Sequence, residues 1–221
     1  GDDRFKCLIW TDDDDDGFTP EREKRIVDIK YHFVDGAFIE LLGKSSDEKL
    51  FEIDFIDQDE NKKIYSTKLS PRMWSKTDYK YFINWKTLLK YKDEIIFEHL
   101  YNAKDKRVLI TVDSKAMGDS IAWIPYLDEF RKKHGCKLLA TTFWNKLYKD
   151  MYPEIEFYEP GTSLSDLYAQ YVVGVFDDDY NRNKIHWRSL PLQKVASDIL
   201  GLEYEEIKPK ISIKPEENRE I

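Results

Sequence analysis

The stretch Val108–Pro125, VLITVDSKAMGDSIAWIP, decides how the rest of the chain is read. It opens with an apolar run, Val108–Val112, bounded by Lys106, Arg107 and Asp113. Such a run suits a strand buried on both faces. A polar loop, Asp113–Gly118, follows. Beyond it Ile121, Ile124, Leu127 (with Tyr126) and Phe130 recur at helical spacing. Gly135 stops the pattern behind Arg131, Lys132, Lys133 and His134, a basic last turn that suits the carbonyl end of a helix. Strand, Gly-containing loop and helix make the first unit of a parallel α/β domain. Open α/β sheets bind ligands at the carboxyl ends of their strands, and Asp119 stands at such an end. It is either the helix N-cap or a chemical group presented to a ligand. Pro125 lies past the first turn and opposes the carbonyl of Ile121, so a kink or a restart of the helix is expected.

Toward the C-terminus strands and helices alternate. Cys136–Thr142 reads as a second strand, Trp144–Met151 as a short helix ended by Pro153, and Ile155–Tyr158 as a third strand. Pro160-Gly161 marks a turn, Tyr171–Phe176 a fourth strand, and Asp177–Arg188 a polar, irregular loop. Pro191–Leu200 reads as a helix, with Pro at its first turn and Gly201 beyond its last. The Pro- and charge-rich tail that follows reads as a linker. Toward the N-terminus the period changes to two. Ile29, Tyr31 and Phe33 alternate with polar residues, and Asp35-Gly36 then leads into Ala37–Leu42, a hairpin signal. Leu50–Ile56 with Lys63–Leu69, and Tyr81–Leu89 with Glu94–Leu100, read as two further pairs, interrupted at Pro71 and Met73-Trp74. The expectation is an α+β chain of two domains. An antiparallel sandwich or barrel of about six strands covers 26–103 and a Rossmann-like α/β half covers 104–207. Residues 1–25 are an acidic segment and 208–221 a tail.

Composition removes several classes. The 221 residues carry a net charge of −8, against the basic face that nucleic-acid binding needs. No apolar run approaches the roughly 18 residues of a membrane span. The acidic N-terminal residues lack the build of a signal peptide. Cys7 and Cys136, the two cysteines, stand outside any ligand pattern. They fit a reducing compartment, so a cytoplasmic location is expected. The chain begins with Gly, which leaves a fragment open. Asp12, Asp14, Asp16, Gly17 and Glu23 match a calcium-loop pattern, although a run of acids matches it cheaply and also reads as a solvated, repelling segment. The histidines are scattered and give no metal cluster. Tyr31, Phe33, Trp74, Trp85 and other aromatics of the β domain are either core or a platform for sugars or peptides.

At the decisive loop, Gly118 lets a ligand approach the backbone, and the N–H groups of a helix start favour an anion. A carboxylate there can accept a proton from an attacking hydroxyl, and Lys115 can neutralise a phosphate or orient an acceptor. The competing reading is an ordinary βα turn with Asp119 as a cap. Thr141-Thr-Phe-Trp-Asn145 brings hydroxyls, aromatics and an amide to the same edge, for a sugar or for packing. Arg188 either clamps a phosphate or makes a surface ion pair.

The run VLITVDSKAMGDSIAWIPYLDEFRKKHGCKLLATTFWNKLYKDMYPEIEF resembles the bacterial autotransporter O-heptosyltransferases. Its V-L-I…S-x-x-M-G-D…P resembles, more distantly, the lipopolysaccharide heptosyltransferases. IKYHFVDGAFIELLG, YFINW and RSLPLQKVASDILGLEYEEIKPKI extend the similarity over Ile26–Ile211. The resemblance implies a β-rich domain followed by a GT-B glycosyltransferase unit, of which this chain holds the first, acceptor-side lobe. It implies sugar transfer with inversion from an ADP-activated donor, a substrate rather than a cofactor, to a serine or threonine hydroxyl of a protein. Asp119 is then the base. Ser114, Lys115, Met117 and Gly118 match its loop, and Thr142, Phe143, Trp144 and Asn145 match an acceptor-side segment. The family's donor pocket lies mainly in the second lobe, and this chain stops where that lobe would begin. The chain is thus expected to be an N-terminal portion, inactive alone. A cysteine-rich metal site carried late in some members has no counterpart here. Self-association stays open. Two other readings compete: a non-catalytic module that binds protein or glycan through its β domain, and half of a nucleotide-dependent oxidoreductase. The missing glycine fingerprint counts against the second.

Overall fold

A computed structural model describes residues 4–9, 25–43, 50–174 and 187–212. The calcium-loop pattern at Asp12–Glu23 lies outside the described residues, as do 175–176 of the expected fourth strand and 177–186 of the irregular loop. The chain divides into two units, one of residues 1–78 with 83–101, the other of 79–82 with 102–221.

In the first unit the period-two pattern forms antiparallel strands: β1 (Arg4–Ile9), β2 (Arg25–Val34), β3 (Phe38–Leu42), β4 (Phe51–Asp57), β5 (Lys62–Leu69), β6 (Trp74–Lys76), β7 (Trp85–Tyr91) and β8 (Glu94–Leu100). They pair as β1-β2-β3-β6 and as β5-β4-β7-β8. Ile29, Tyr31 and Phe33 are buried, and rings from the two sheets meet at Tyr31–Phe97 (5.8 Å) and Phe33–Tyr101 (5.1 Å). Those aromatics are core, whereas Trp74 is 60% exposed. The Asp35-Gly36 turn forms with positive φ at both residues. A Cβ on Gly36 would collide with the carbonyl of Thr77, whose hydroxyl accepts the Ala37 N–H at 2.8 Å. Two expectations are corrected. The supposed interruption at Met73-Trp74 contains β6, because a short edge strand shows too few residues to display a period. The third hairpin starts at Trp85, not Tyr81. Phe82 belongs instead to the second unit, where its N–H donates to the Ile199 carbonyl (2.8 Å) and its ring meets Phe130.

The second unit alternates as β9 (Arg107–Val112), α1 (Met117–His134), β10 (Lys137–Thr141), α2 (Asn145–Tyr148), β11 (Glu156–Tyr158), β12 (Ala169–Val173), a 3-10 turn (Trp187–Ser189) and α3 (Leu192–Ile199). The strands run parallel in the order β11-β10-β9-β12. Chain order therefore reverses between β9 and β12, the switch point at which open α/β sheets form their crevice. Val108, Ile110 and Val112 are fully buried on one face, and Tyr171 turns the same way to meet Phe130 of α1 at 5.4 Å. Parallel crossovers are right-handed. The steps to β10 and β11 put α1 and α2 on that face, and the return to β12 puts residues 159–168 on the other.

α1 continues through Pro125 without a restart, although the Ile121 carbonyl loses its usual amide partner there. Its buried stripe is Ser120, Trp123, Ile124, Leu127 and Phe130, so Ser120 takes the inward place expected of Ile121. Ser120 tolerates burial because its hydroxyl accepts from Tyr148 at 3.0 Å. α2 is a single turn rather than Trp144–Met151. The stretch after α3 is not a free linker where described. The N–H of Ile207 donates to Gln193 Oε1 (3.1 Å), that of Lys210 to the Tyr152 hydroxyl (3.2 Å), and that of Ser212 to the Leu147 carbonyl (2.9 Å). Composition does not reveal main-chain pairing of this kind.

Candidate functional site

Where β9 ends, the N–H of Asp113 donates to the Val173 carbonyl at 2.8 Å and ties the ends of β9 and β12 together. The chain then turns into α1. Ser114 Oγ accepts the Ala116 N–H (3.1 Å) and donates to Asp119 Oδ2 (2.7 Å). Ala116 is the N-cap and makes no side-chain cap bond. Asp119 is therefore not the N-cap; it sits inside the first turn, half-buried, among the N–H groups that favour negative charge. Among the described residues, Ser114 is the only side chain that hydrogen-bonds its carboxylate.

Gly118 and Met117 are exposed beside it. Nothing lies within 4 Å of a Cβ built on Gly118, and its φ is not positive. Packing and backbone geometry thus make no demand for glycine here, and its effect is to leave the first helical N–H groups bare.

The loop after β10 meets this one. The Trp144 indole N–H donates to the Lys115 carbonyl (3.2 Å), and the Lys115 ammonium lies 5.6 Å from the Phe143 ring centroid. Thr142 and Asn145 are buried, and their polar groups hold their own turn. Asn145 Oδ1 accepts the Thr142 N–H (3.0 Å), Thr142 Oγ1 accepts the Trp144 N–H (2.8 Å), and Asn145 Nδ2 donates to the Tyr158 carbonyl (2.8 Å). That turn presents Phe143, 45% exposed. Arg188 is exposed in the 3-10 turn before α3. The start of α3 is tied to α1 by a bond from Trp123 Nε1 to the Leu192 carbonyl at 2.9 Å. The structure thus gathers Ser114, Lys115, Met117, Gly118 and Asp119 with Phe143 and Trp144, and gives Thr142 and Asn145 a supporting place.

Sequence reasoning missed a cavity of about 480 Å³ on the sheet face turned away from α1. Thr111, Gln170 and Val172 form its floor, Leu164 and Leu167 its wall, and Asp113 and Phe143 its edge toward the Asp119 loop. The signal was a hydroxyl inside the apolar run of β9 and an amide inside β12, where a strand covered on both faces should be apolar. Among the described residues, no group of three or more His, Cys, Asp or Glu is arranged to hold a metal ion, and no helix is long and apolar enough to cross a membrane.

The fold is that of a known glycosyltransferase structure. The chain matches the crystal structure of the bacterial iron-containing dodecameric glycosyltransferase TibC from enterotoxigenic Escherichia coli H10407 with a TM-score of 0.74 and 24% identity, over 94% of this chain and 53% of that one. A TibC structure in complex with ADP-D-beta-D-heptose matches with a TM-score of 0.72 and 25% identity, over 92% and 51%. Among sequence relatives, the autotransporter heptosyltransferase Aah of Escherichia coli is 30% identical over 196 residues, 84% of this chain and 48% of Aah. The autotransporter heptosyltransferase BAHTCr of Citrobacter rodentium (strain ICC168) is 26% identical over 191 residues, 84% of this chain and 45% of that protein. No protein-family model matches the chain. The chain is similar to part of the autotransporter heptosyltransferases, and it spans about half the length of the relatives it matches.

Proposed function

We propose that this chain is the acceptor-side part of a GT-B glycosyltransferase that moves a sugar from an ADP-activated donor to a serine or threonine hydroxyl of a protein. The observation that carries the reading is the Asp119 carboxylate on the first turn of α1, aimed by Ser114 at 2.7 Å, at the carboxyl end of β9 beside the reversal of strand order. Ligand crevices of open α/β sheets form at that place. The TibC complex with ADP-D-beta-D-heptose supports a nucleotide sugar as donor.

In this mechanism Asp119 accepts the proton of the acceptor hydroxyl while the hydroxyl oxygen attacks the anomeric carbon. The bond from that carbon to the ADP oxygen breaks, ADP leaves with the bonding pair, and the configuration inverts. Lys115, exposed on the loop with its ammonium over the Phe143 ring, orients the acceptor or meets developing negative charge. Met117 and Gly118 form the exposed surface next to the carboxylate, with Phe143 and Trp144 opposite and Arg188 as a phosphate clamp. The reading carries a cytoplasmic location with it, in keeping with the free thiol of Cys136. The dodecameric state of TibC is the ground for proposing self-association.

The test joins this chain to the part of a relative that it does not match and measures transfer from an ADP-sugar to a Ser-containing protein. Asp119→Asn abolishes transfer and leaves the fold intact; retained transfer removes Asp119 as base. The 221 residues by themselves turn over nothing, because donor and acceptor are not held together.

A further inference from the structure

The two faces of the parallel sheet differ. One is packed by α1 and α3. The other is crossed by the 159–168 strap, and the cavity of about 480 Å³ lies between strap and strands, within the usual size range of ligand sites.

The strap is preformed. The Thr162 N–H and hydroxyl both donate to the Glu159 carbonyl, at 3.1 and 2.7 Å. Gly161 has φ +88° and follows Pro160, the arrangement of a type II turn. At the other end the Arg107 guanidinium donates to the Ser165 carbonyl at 2.6 Å, and the Tyr168 N–H donates to the Arg107 carbonyl at 2.9 Å. A guest therefore pays little for ordering the wall.

The lining sorts the guests. Leu109, Val172, Leu164 and Leu167 are apolar. The Thr141 hydroxyl donates to Thr111 Oγ1 at 3.0 Å, which leaves the Thr111 proton for a guest. The Gln170 amide makes no hydrogen bond to a described residue and offers both a donor and an acceptor. Among the described lining residues Asp113 is the one that carries a charge. Among the described lining residues a diphosphate would meet a carboxylate and no cation, the nearby Lys115 ammonium lying over Phe143 at the edge, so the nucleotide end of the donor is poorly matched to the interior of this cavity. A sugar would find one aromatic ring, Phe143, at the edge, and the hydroxyls of Thr141 and Thr162 already donate within the fold, which leaves Thr111, Gln170 and Asp113 for its many hydroxyls. A neutral peptide, with main-chain amides between small side chains, matches the alternation of Thr111 and Gln170 with aliphatic walls.

We infer that this cavity seats the polypeptide segment that carries the accepting hydroxyl. Thr111 and Gln170 pair with its main chain, and Leu164 and Leu167 hold a small side chain near the target residue. Asp113 and Phe143 connect the cavity to the base: Ser114 follows Asp113 and holds Asp119, and Phe143 lies under the Lys115 ammonium. The inference rests on the transferase reading above and specifies its acceptor subsite.

The experiment records amide and methyl NMR spectra of the 221-residue chain with three separate probes: a short end-blocked Gly/Ser/Thr peptide, ADP, and free mannose. The peptide is expected to shift Leu109, Thr111, Leu164 and Gln170, and ADP and mannose are expected to leave them in place. Combining Thr111→Val with Gln170→Leu weakens the peptide about tenfold, the worth of two modest hydrogen bonds, while the amide spectrum away from the cavity keeps the dispersion of the folded chain. Shifts confined to other residues, no shift at millimolar peptide, equal affinity in the double variant, or capture of the cavity by ADP or mannose overturns the proposal. Binding is read here without turnover. A longer form that transfers sugar while the peptide ignores the cavity refutes this subsite alone, whereas peptide binding with a longer form indifferent to Asp119→Asn refutes the base alone.

Discussion

The Ser114 hydroxyl donates to Asp119 Oδ2 at 2.7 Å while accepting the Ala116 N–H at 3.1 Å, so one side chain both closes the loop after β9 and aims the carboxylate on α1. Aim of this kind is what a general base needs, since proton transfer depends on position before basicity. Ser114→Ala should lower kcat of a complete enzyme about tenfold with KM little changed, and Ser114→Thr should restore most of the rate. Steady-state kinetics on the two variants check this. A fall confined to stability, with kcat intact, would mean the pair serves only the loop.

Gly118 supports a prediction of opposite signs. Its Cβ position is open and its backbone is not in the left-handed region. Gly118→Ala should therefore raise the stability of the chain by about 0.5–1 kcal/mol, the helix propensity difference. If acceptor and donor oxygens approach the bare backbone, the same methyl group should lower transfer. Denaturant unfolding checks the first sign and the transfer assay the second.

Acid should weaken the β unit through Asp54. This carboxyl is 1% exposed on β4, and burial alone would raise its pKa. Hydrogen bonds from Lys63 (2.8 Å), Lys90 (2.6 Å) and Ser66 (2.6 Å) overcome that and hold it at about 2. The folded pKa is depressed, so the contribution is complete above the ordinary carboxylate range and lost as pH falls through about 2. It amounts to about 2 kcal/mol. Asp54→Asn should remove that amount at neutral pH and flatten the acid limb of a stability curve measured by urea unfolding.

His32 should act in a higher window. Burial first, then Lys30 and Lys76, lower its pKa from 6.5 to about 4. Its ring stacks on Phe38 at 4.3 Å, and its Nδ1 accepts the Val34 N–H at 3.2 Å, which requires that nitrogen to be unprotonated. The unfolded chain binds the proton more readily than the fold does. Stability is therefore full above about 6.5 and declines as pH falls toward about 4. The melting temperature should fall across that interval, and His32→Gln should reduce the slope.

Elements with a strong period were legible in the sequence. β9, the Asp35-Gly36 hairpin and the alternation through α3 form where pattern and turn chemistry agree. The boundary errors share a cause. Pro125 did not interrupt α1 because the surrounding contacts, with Trp123 and Tyr126 buried on either side, hold the helix across a missing bond. β6 and the Phe82 segment are set by partners distant in the chain, which no local window sees. At the candidate site the loop 113–119 was legible as a βα junction, but the role of Ser114 as the group that orients Asp119 was not. For Thr142 and Asn145 the residues alone leave a sugar contact or packing open, and the resemblance implies an acceptor-side place. In the fold the Thr142 hydroxyl accepts the Trp144 N–H, and the Asn145 amide joins the Thr142 N–H to the Tyr158 carbonyl. Thr111 and Gln170 were overlooked because each is a single polar residue in an apolar run, and only the topology reveals that the far side of those strands lies open.

The strap from Glu159 to Tyr168 joins β11 to β12 without a helix and leaves one side of the sheet under a short connection pinned at both ends. Replacing those few residues would remodel the chamber beneath them and leave the helices, the strand order and the Ser114–Asp119 pair as they are. On the proposal that this chamber seats the acceptor, swapping the connection between relatives should carry acceptor preference from one scaffold to another.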